Sequence, residues 1–150
     1  MDSVHGSEDR ELSLKLFVVL SKAYKVIMDH SAKSIKQHRL SQTEFAVLEL
    51  LYHKGRIPLQ QIGGKILVTS GSITYNIDKL EEKGYLKRVP CPNDRRVTFA
   101  EMTEEGTALL DRIFPQHAQM MQQVMKGLNE EEKKTAIELI KKLGLHAENS

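Results

Sequence analysis

The sequence predicts a mainly α protein carrying one small β-hairpin. Three observations lead there. Hydrophobic residues make up 40% of the 150 residues but aromatics only 5%, with no Trp. This Leu-, Ile-, Val- and Met-rich composition suits helices better than a β-sandwich. Apolar positions recur at helical spacing up to about residue 83 and again after residue 103. Between them the period changes to strand-like runs broken by a turn-rich segment.

The first helix is expected over residues 11–30. Leu16, Phe17, Leu20, Tyr24, Ile27 and Met28 form its apolar stripe. Leu12, Val18, Val19, Ala23 and Val26 widen that stripe until it needs cover on more than one side. Ser41-Gln42-Thr43-Glu44 reads as a capping box opening a second helix, with Phe45, Leu48, Leu51 and Tyr52 facing the core and Gly55 as the stop. Pro58 suits the first turn of a short third helix that buries Leu59, Ile62 and Ile66. Gly63-Gly64 would permit close approach of another backbone. Thr69 or Ser70 would cap a fourth helix running to about Lys83, with Ile73, Ile77 and Leu80 inward and Gly84 ending it. This is a helix-turn-helix pattern.

Residues 85–89 and 97–100 then read as two strands around Pro90-Cys91-Pro92-Asn93-Asp94-Arg95. A hairpin with a basic tip after a helix-turn-helix is a wing. Thr103 caps a long fifth helix to about Lys126, in which Pro115 predicts a kink. Asn129 with Glu132 caps a last helix, with Ala136, Ile137, Ile140 and Leu143 expected inward and Gly144 as its end. The chain divides into an N-terminal helix (1–38), a winged helix-turn-helix lobe (39–102) and C-terminal helices (103–150). The fold class is therefore a winged helix-turn-helix flanked by helices suited to dimerisation.

Composition narrows the function. The net charge is only +2, but it is unevenly placed. Residues 55–99 hold eight basic and four acidic residues, while residues 100–150 hold six basic and nine acidic. A basic middle is the electrostatic footprint of a nucleic-acid-binding module. No apolar run approaches the ~18–20 residues that span a bilayer, and the N-terminus has no signal-peptide pattern. The expectation is a cytoplasmic protein with no membrane partner. One cysteine, Cys91, excludes an internal disulfide. The six histidines show no ligand spacing, so no metal is expected. No phosphate loop, nucleophile elbow or carboxylate dyad occurs, so neither an enzyme nor a cofactor is predicted.

Three motifs in order carry a resemblance. Leu40-Ser41-Gln42-Thr43-Glu44-Phe45-Ala46-Val47-Leu48 comes first. Val68-Thr69-Ser70-Gly71-Ser72-Ile73-Thr74 follows, leading to Asp78-Lys79-Leu80-Glu81-Glu82-Lys83-Gly84-Tyr85-Leu86. Asn93-Asp94-Arg95-Arg96 with Met102-Thr103-Glu104-Glu105-Gly106 closes the series. Together they resemble the MarR (multiple antibiotic resistance regulator) family of bacterial transcription regulators. The last pair matches its wing signature, Asp-x-Arg and then Leu or Met-Thr-x-x-Gly. The outer helices match only in length and pattern.

Projected at 100° per residue, Ser72, Tyr75, Asn76 and Lys79 share an acid-free flank of the fourth helix. That flank is expected in the major groove, with Thr69, Ser70 and Gly71 holding a phosphate at the helix N-terminus. The resemblance places Arg96 in the minor groove, oriented by Asp94, which could instead hold Arg95. Arg88, Arg95 and Lys87 would neutralise phosphates. The rival reading is a winged-helix protein-interaction module without DNA binding.

The resemblance further implies a homodimer through the outer helices; the alternative is that these helices bury each other within one chain. It also implies repression of a drug, phenolic, quinone or oxidative-stress operon, relieved by a small aromatic effector. Tyr24, Phe45, Tyr52, Phe114 and His117 are the candidate cleft residues. Cys91 is the candidate for a thiol-based alternative, its pKa lowered by Arg88 or Arg95.

Overall fold

The computed structural model describes residues 3–66 and 72–150, with side chains from residue 6 onward. Six helices and a three-stranded antiparallel sheet follow one another in the described chain. They are α1 (Ser3–Lys36), α2 (Gln42–Lys54), β1 (Ile57–Pro58), α3 (Leu59–Ile62), α4 (Ile73–Glu82), β2 (Leu86–Pro90), β3 (Thr98–Met102), α5 (Glu104–Val124) and α6 (Glu130–Glu148). A 3-10 turn, Met125–Gly127, joins the last two helices.

Local sequence chemistry sets most helix starts. The Ser41 hydroxyl accepts the Glu44 N–H and Glu44 Oε1 accepts the Ser41 N–H, both at 3.0 Å. Asn129 and Glu132 repeat that reciprocal cap on α6. Thr103 caps α5 by accepting the Gly106 N–H at 3.0 Å. Gly55 and Gly84 follow α2 and α4 with φ of 77° and 84°, a conformation that costs glycine little.

Other boundaries differ from expectation. The first helix runs well past residues 11–30 in both directions. The fourth begins at Ile73 with Ser72 as its cap, the Ser72 hydroxyl accepting the Tyr75 N–H at 3.4 Å; Thr69 and Ser70 lie outside the described residues. Pro115 lies inside α5 without ending it, and α6 continues past Gly144. A side chain added at Gly63 would make only ordinary contact, and one at Gly64 would meet open space. The close backbone approach expected there occurs instead at Gly106.

The wing is β2 and β3, with Val89 opposite Phe99 and Lys87 opposite Glu101. A third strand, β1, extends it by pairing Ile57 with Ala100. Val47, Leu48, Ile62, Leu80, Leu86 and Leu110 are fully buried in one core, which is closed by Ile35, Leu40, Ile77 and Ile113. That core fastens α2, α4, the sheet and the first half of α5 into a single lobe.

Two further ties fix α4 within it. Glu44 is buried, and its second oxygen accepts Lys83 Nζ at 2.7 Å. Lys83 Nζ also donates to the Arg39 carbonyl at 2.9 Å. The residue that caps the start of α2 thus also anchors the lysine that ends α4, so its charge is buried with partners. By contrast α6 buries no residue: Ile137 is 56% exposed and Ile140 52%. On α1, Leu12 to Val26 are likewise open, Phe17 at 68%. The first and last helices, α1 and α6, therefore do not bury each other within one chain.

Candidate nucleic-acid interface

The surface expected to read DNA is built on α4 and the wing. Ile77 and Leu80 hold α4 to the core. Tyr75 is then exposed on its outer flank with Lys79 beside it, Lys79 Nζ lying 5.5 Å from the ring centre. Lys79 also faces Glu82 at 3.7 Å. Ser72 is exposed but its hydroxyl is engaged in the cap.

Asn76 departs from the projection. It is only 4% exposed, and its Nδ2 donates to the Ser72 carbonyl at 2.8 Å while Oδ1 accepts from the Ser41 hydroxyl at 3.4 Å. Its amide joins α4 to the start of α2 and does not project from the helix. Thr69, Ser70 and Gly71 lie outside the described residues.

At the wing tip Asp94 holds Arg96. One carboxylate oxygen accepts both the Arg96 backbone N–H at 3.0 Å and Nε at 3.2 Å. Gln60 of α3 donates to the Arg96 carbonyl at 3.2 Å, so the helix-turn-helix braces the tip. The Arg96 side chain is 91% exposed and Arg95 is exposed beside it. Arg88 behaves differently. Its guanidinium bridges Asp78 at 2.7 Å and Glu81 at 2.8 Å, so it faces the acidic flank of α4 instead of standing free for a phosphate. Sequence reasoning missed Gln60 and these two partners. The i, i+3 spacing of the acids at positions 78 and 81 was the trace of the Arg88 partners in the sequence, and nothing in it pointed to Gln60.

Between α2 and α5 an aromatic cluster forms. Phe45 lies 4.7 Å from His117, Tyr52 lies 5.9 Å from Phe114, and Phe114 lies 6.4 Å from His117, centre to centre. His53, absent from the sequence-derived set, packs on Phe114 at 4.8 Å. The Tyr52 hydroxyl donates to Asp111, which holds the phenol proton more tightly than usual. Tyr24 is not part of this cluster; it is 55% exposed on α1. Four of the five expected cleft residues are thus brought together and one is not.

His117 Nδ1 is buried with no hydrogen-bond partner among the described residues. Burial lowers its pKa from 6.5, opposed by the nearby Glu49 carboxylate. The folded chain therefore binds that proton less readily than the unfolded chain. Stability is expected to fall as pH drops below about 6.5, and to stop falling below the depressed folded value. His117→Phe should flatten this limb in denaturant titrations between pH 8 and 5. An unchanged slope would mean that His117 titrates alike in both states.

Cys91 is half-buried at the start of the wing turn, its N–H donating to the Val97 carbonyl at 3.0 Å. Arg88, one of the two cations expected to activate it, is occupied by two carboxylates. Among the described residues no group of histidines, cysteines and acids could hold a metal, and no helix is long and apolar enough to cross a membrane.

Comparison with known proteins agrees with this architecture. The MarR family model matches residues 40–98, from just before α2 to the first residue of β3. The transcriptional regulator MhqR of Bacillus subtilis is 58% identical over 137 residues, 91% of this chain and 94% of that protein. The transcriptional repressor YetL of the same organism is 30% identical over 132 residues, 87% of this chain and 77% of that protein. Among solved structures, one concerns Bordetella bronchiseptica BpsR, whose DNA binding is regulated by 6-hydroxynicotinic acid. It superposes with a TM-score of 0.74 at 25% identity, covering 84% of this chain and 90% of that one. The winged helix-turn-helix, its motifs at family spacing and the near full-length relatives agree: the chain belongs to the MarR family, DNA-binding transcriptional regulators and not enzymes.

Proposed function

We propose that the chain works in the cytoplasm as a homodimeric repressor that reads a pseudo-palindromic operator and is released by a small aromatic effector. The observation that carries the dimer is the open apolar surface of α1 and α6. Leu12, Leu16, Phe17, Leu20, Ile137, Ile140 and Leu143 are all exposed in the single chain. Exposed apolar faces of this kind on two helices favour an interface. A second copy would cover it through residues 1–38 and 103–150, leaving two 39–102 lobes to read half-sites about one helical turn apart. Double-stranded DNA contacts would come from Ser72, Tyr75 and Lys79 of α4, from Thr69, Ser70 and Gly71 before it, and from Arg95 and Arg96 of the wing.

The repressor reading is supported by YetL, and the effector reading by BpsR with its hydroxylated aromatic acid. The cluster of Phe45, Tyr52, His53, Phe114 and His117 is the effector site this reading favours, since rings and a phenol suit an aromatic guest. Sedimentation should give twice the chain mass at micromolar concentration. Gel shifts on a duplex enriched from a random pool should then be reversed by phenolic acids, equally in Cys91→Ser. A monomer would remove the dimer. Release by oxidants alone, lost in Cys91→Ser, would replace the effector with the thiol.

A further inference from the structure

The helix assigned to DNA reading is itself acidic. Residues 73–82 carry Asp78, Glu81 and Glu82 against a single lysine, Lys79. A helix so charged is repelled by phosphate unless its carboxylates are masked. Arg88 supplies the mask. Arg88 Nη2 lies 2.7 Å from Asp78 Oδ1, and Nη1 lies 2.8 Å from Glu81 Oε1. Glu81 Oε2 also accepts the Arg88 backbone N–H at 3.3 Å. Among the described residues β2 pairs with β3 alone, so this amide lies on the outer edge of the sheet and Glu81 satisfies it.

The geometry is a fork. Asp78 and Glu81 stand three residues apart on one helix face. A planar guanidinium with parallel N–H groups spans both, whereas an ammonium is a point charge. The Arg88 side chain is 31% exposed, less than either carboxylate. We propose that Arg88 is a positioning residue for DNA binding: it clamps α4 to the wing strand β2 and masks the acidic flank of α4, and does not itself contact phosphate. This rests on the reading of α4 as the DNA-reading helix. It replaces the expectation that Arg88 neutralises a phosphate directly.

The test uses the full chain and a duplex of about 30 base pairs that the wild-type protein enriches from a random pool, with affinities read across a salt series. Arg88→Met should weaken binding about tenfold or more with the salt slope unchanged, because a phosphate ligand would take about 0.9 from the slope per protomer. Adding Asp78→Asn and Glu81→Gln to Arg88→Met should restore affinity to within about threefold of wild type, since no carboxylate then needs masking. Arg88→Lys, which folds with its charge kept, should still lose about threefold or more because it cannot span both acids.

A slope lowered in Arg88→Met, no rescue in the triple variant, or wild-type affinity in Arg88→Lys would each overturn the clamp. If Arg88→Met does not fold, the lysine variant alone decides. A wild-type chain that enriches no sequence overturns the DNA reading and this inference together, and is recognised before any variant is made.

Discussion

Gly106→Ala is expected to destabilise the fold by about 2–4 kcal/mol, the largest loss expected of any glycine-to-alanine change among the described residues. Gly106 lies in the first turn of α5, where the helix rides directly on the backbone of Tyr85. A Cβ there would overlap the Tyr85 carbonyl oxygen and come within 3.0 Å of its carbonyl carbon and 3.2 Å of its Cα. These are backbone atoms, so no rotamer relieves the contact.

Nor is the Tyr85 peptide free to retreat. Its N–H donates to the Leu80 carbonyl at 3.0 Å, and its own carbonyl accepts the Thr103 N–H at 3.1 Å. The Thr103 hydroxyl donates to the Gly84 carbonyl at 2.6 Å while accepting the Gly106 N–H. Moving α5 away would break this cap, worth about 0.5–2 kcal/mol, and uncover Leu109 and Leu110. Alanine's helix propensity returns only about 1 kcal/mol. For a chain of this length the net loss lowers Tm by roughly 5–15 °C. Gly144→Ala is the internal control: it sits within α6 with nothing within 4 Å and should be neutral or slightly stabilising. Thermal unfolding of the two variants beside wild type measures the difference, and equal melting of Gly106→Ala would refute the close approach.

What could be read from sequence follows the range of the interaction. The caps at Ser41, Thr103 and Asn129 join residues three apart, so composition alone reveals them. Gly55 and Gly84 are legible for the same reason. The strand β1 is two residues whose partners, Phe99 and Ala100, lie some forty positions on, and no local pattern announces it. The Glu44–Lys83 pair spans a similar distance, so the capping glutamate's second role was invisible.

At the interface, angular projection placed Asn76 with Tyr75 and Lys79. A position at the edge of the buried face turns inward when a partner is there, and Ser41 is that partner. The partners of Arg88, Asp78 and Glu81, were not foreseen because a charge count does not say which charge is nearest. Periodicity found the apolar faces of α1 and α6 but not their cover. An inward face in sequence is an open face in the folded chain, and its area is the argument for a second copy.

Arg96→Ala should weaken binding to the enriched duplex by about 100-fold or more while leaving melting temperature and sedimentation unchanged. The side chain supports nothing in the fold. It is almost fully exposed, and its exposed pairing with Asp94 is worth at most ~1 kcal/mol. What the pairing does is aim the residue. The Asp94 carboxylate takes the backbone N–H and Nε, leaving the terminal nitrogens of Arg96 outward. Gln60 steadies the same peptide from α3. A guanidinium presented this way suits a narrow minor groove, where the potential is deepest.

In a dimer each substitution is felt twice, so about 1.4 kcal/mol lost per wing becomes a hundredfold in affinity. The salt slope should fall by about 0.9 for each phosphate charge lost, near two per dimer. Asp94→Ala should cost less, because it loosens the arginine without removing its charge. Arg95→Ala separates tip charge from tip position: if it weakens binding as much as Arg96→Ala, the tip acts as a charge alone. If Arg96→Ala leaves affinity and slope intact, the wing does not touch DNA, and the basic surplus of the middle third must act through Lys79, Arg95 and the segment before α4.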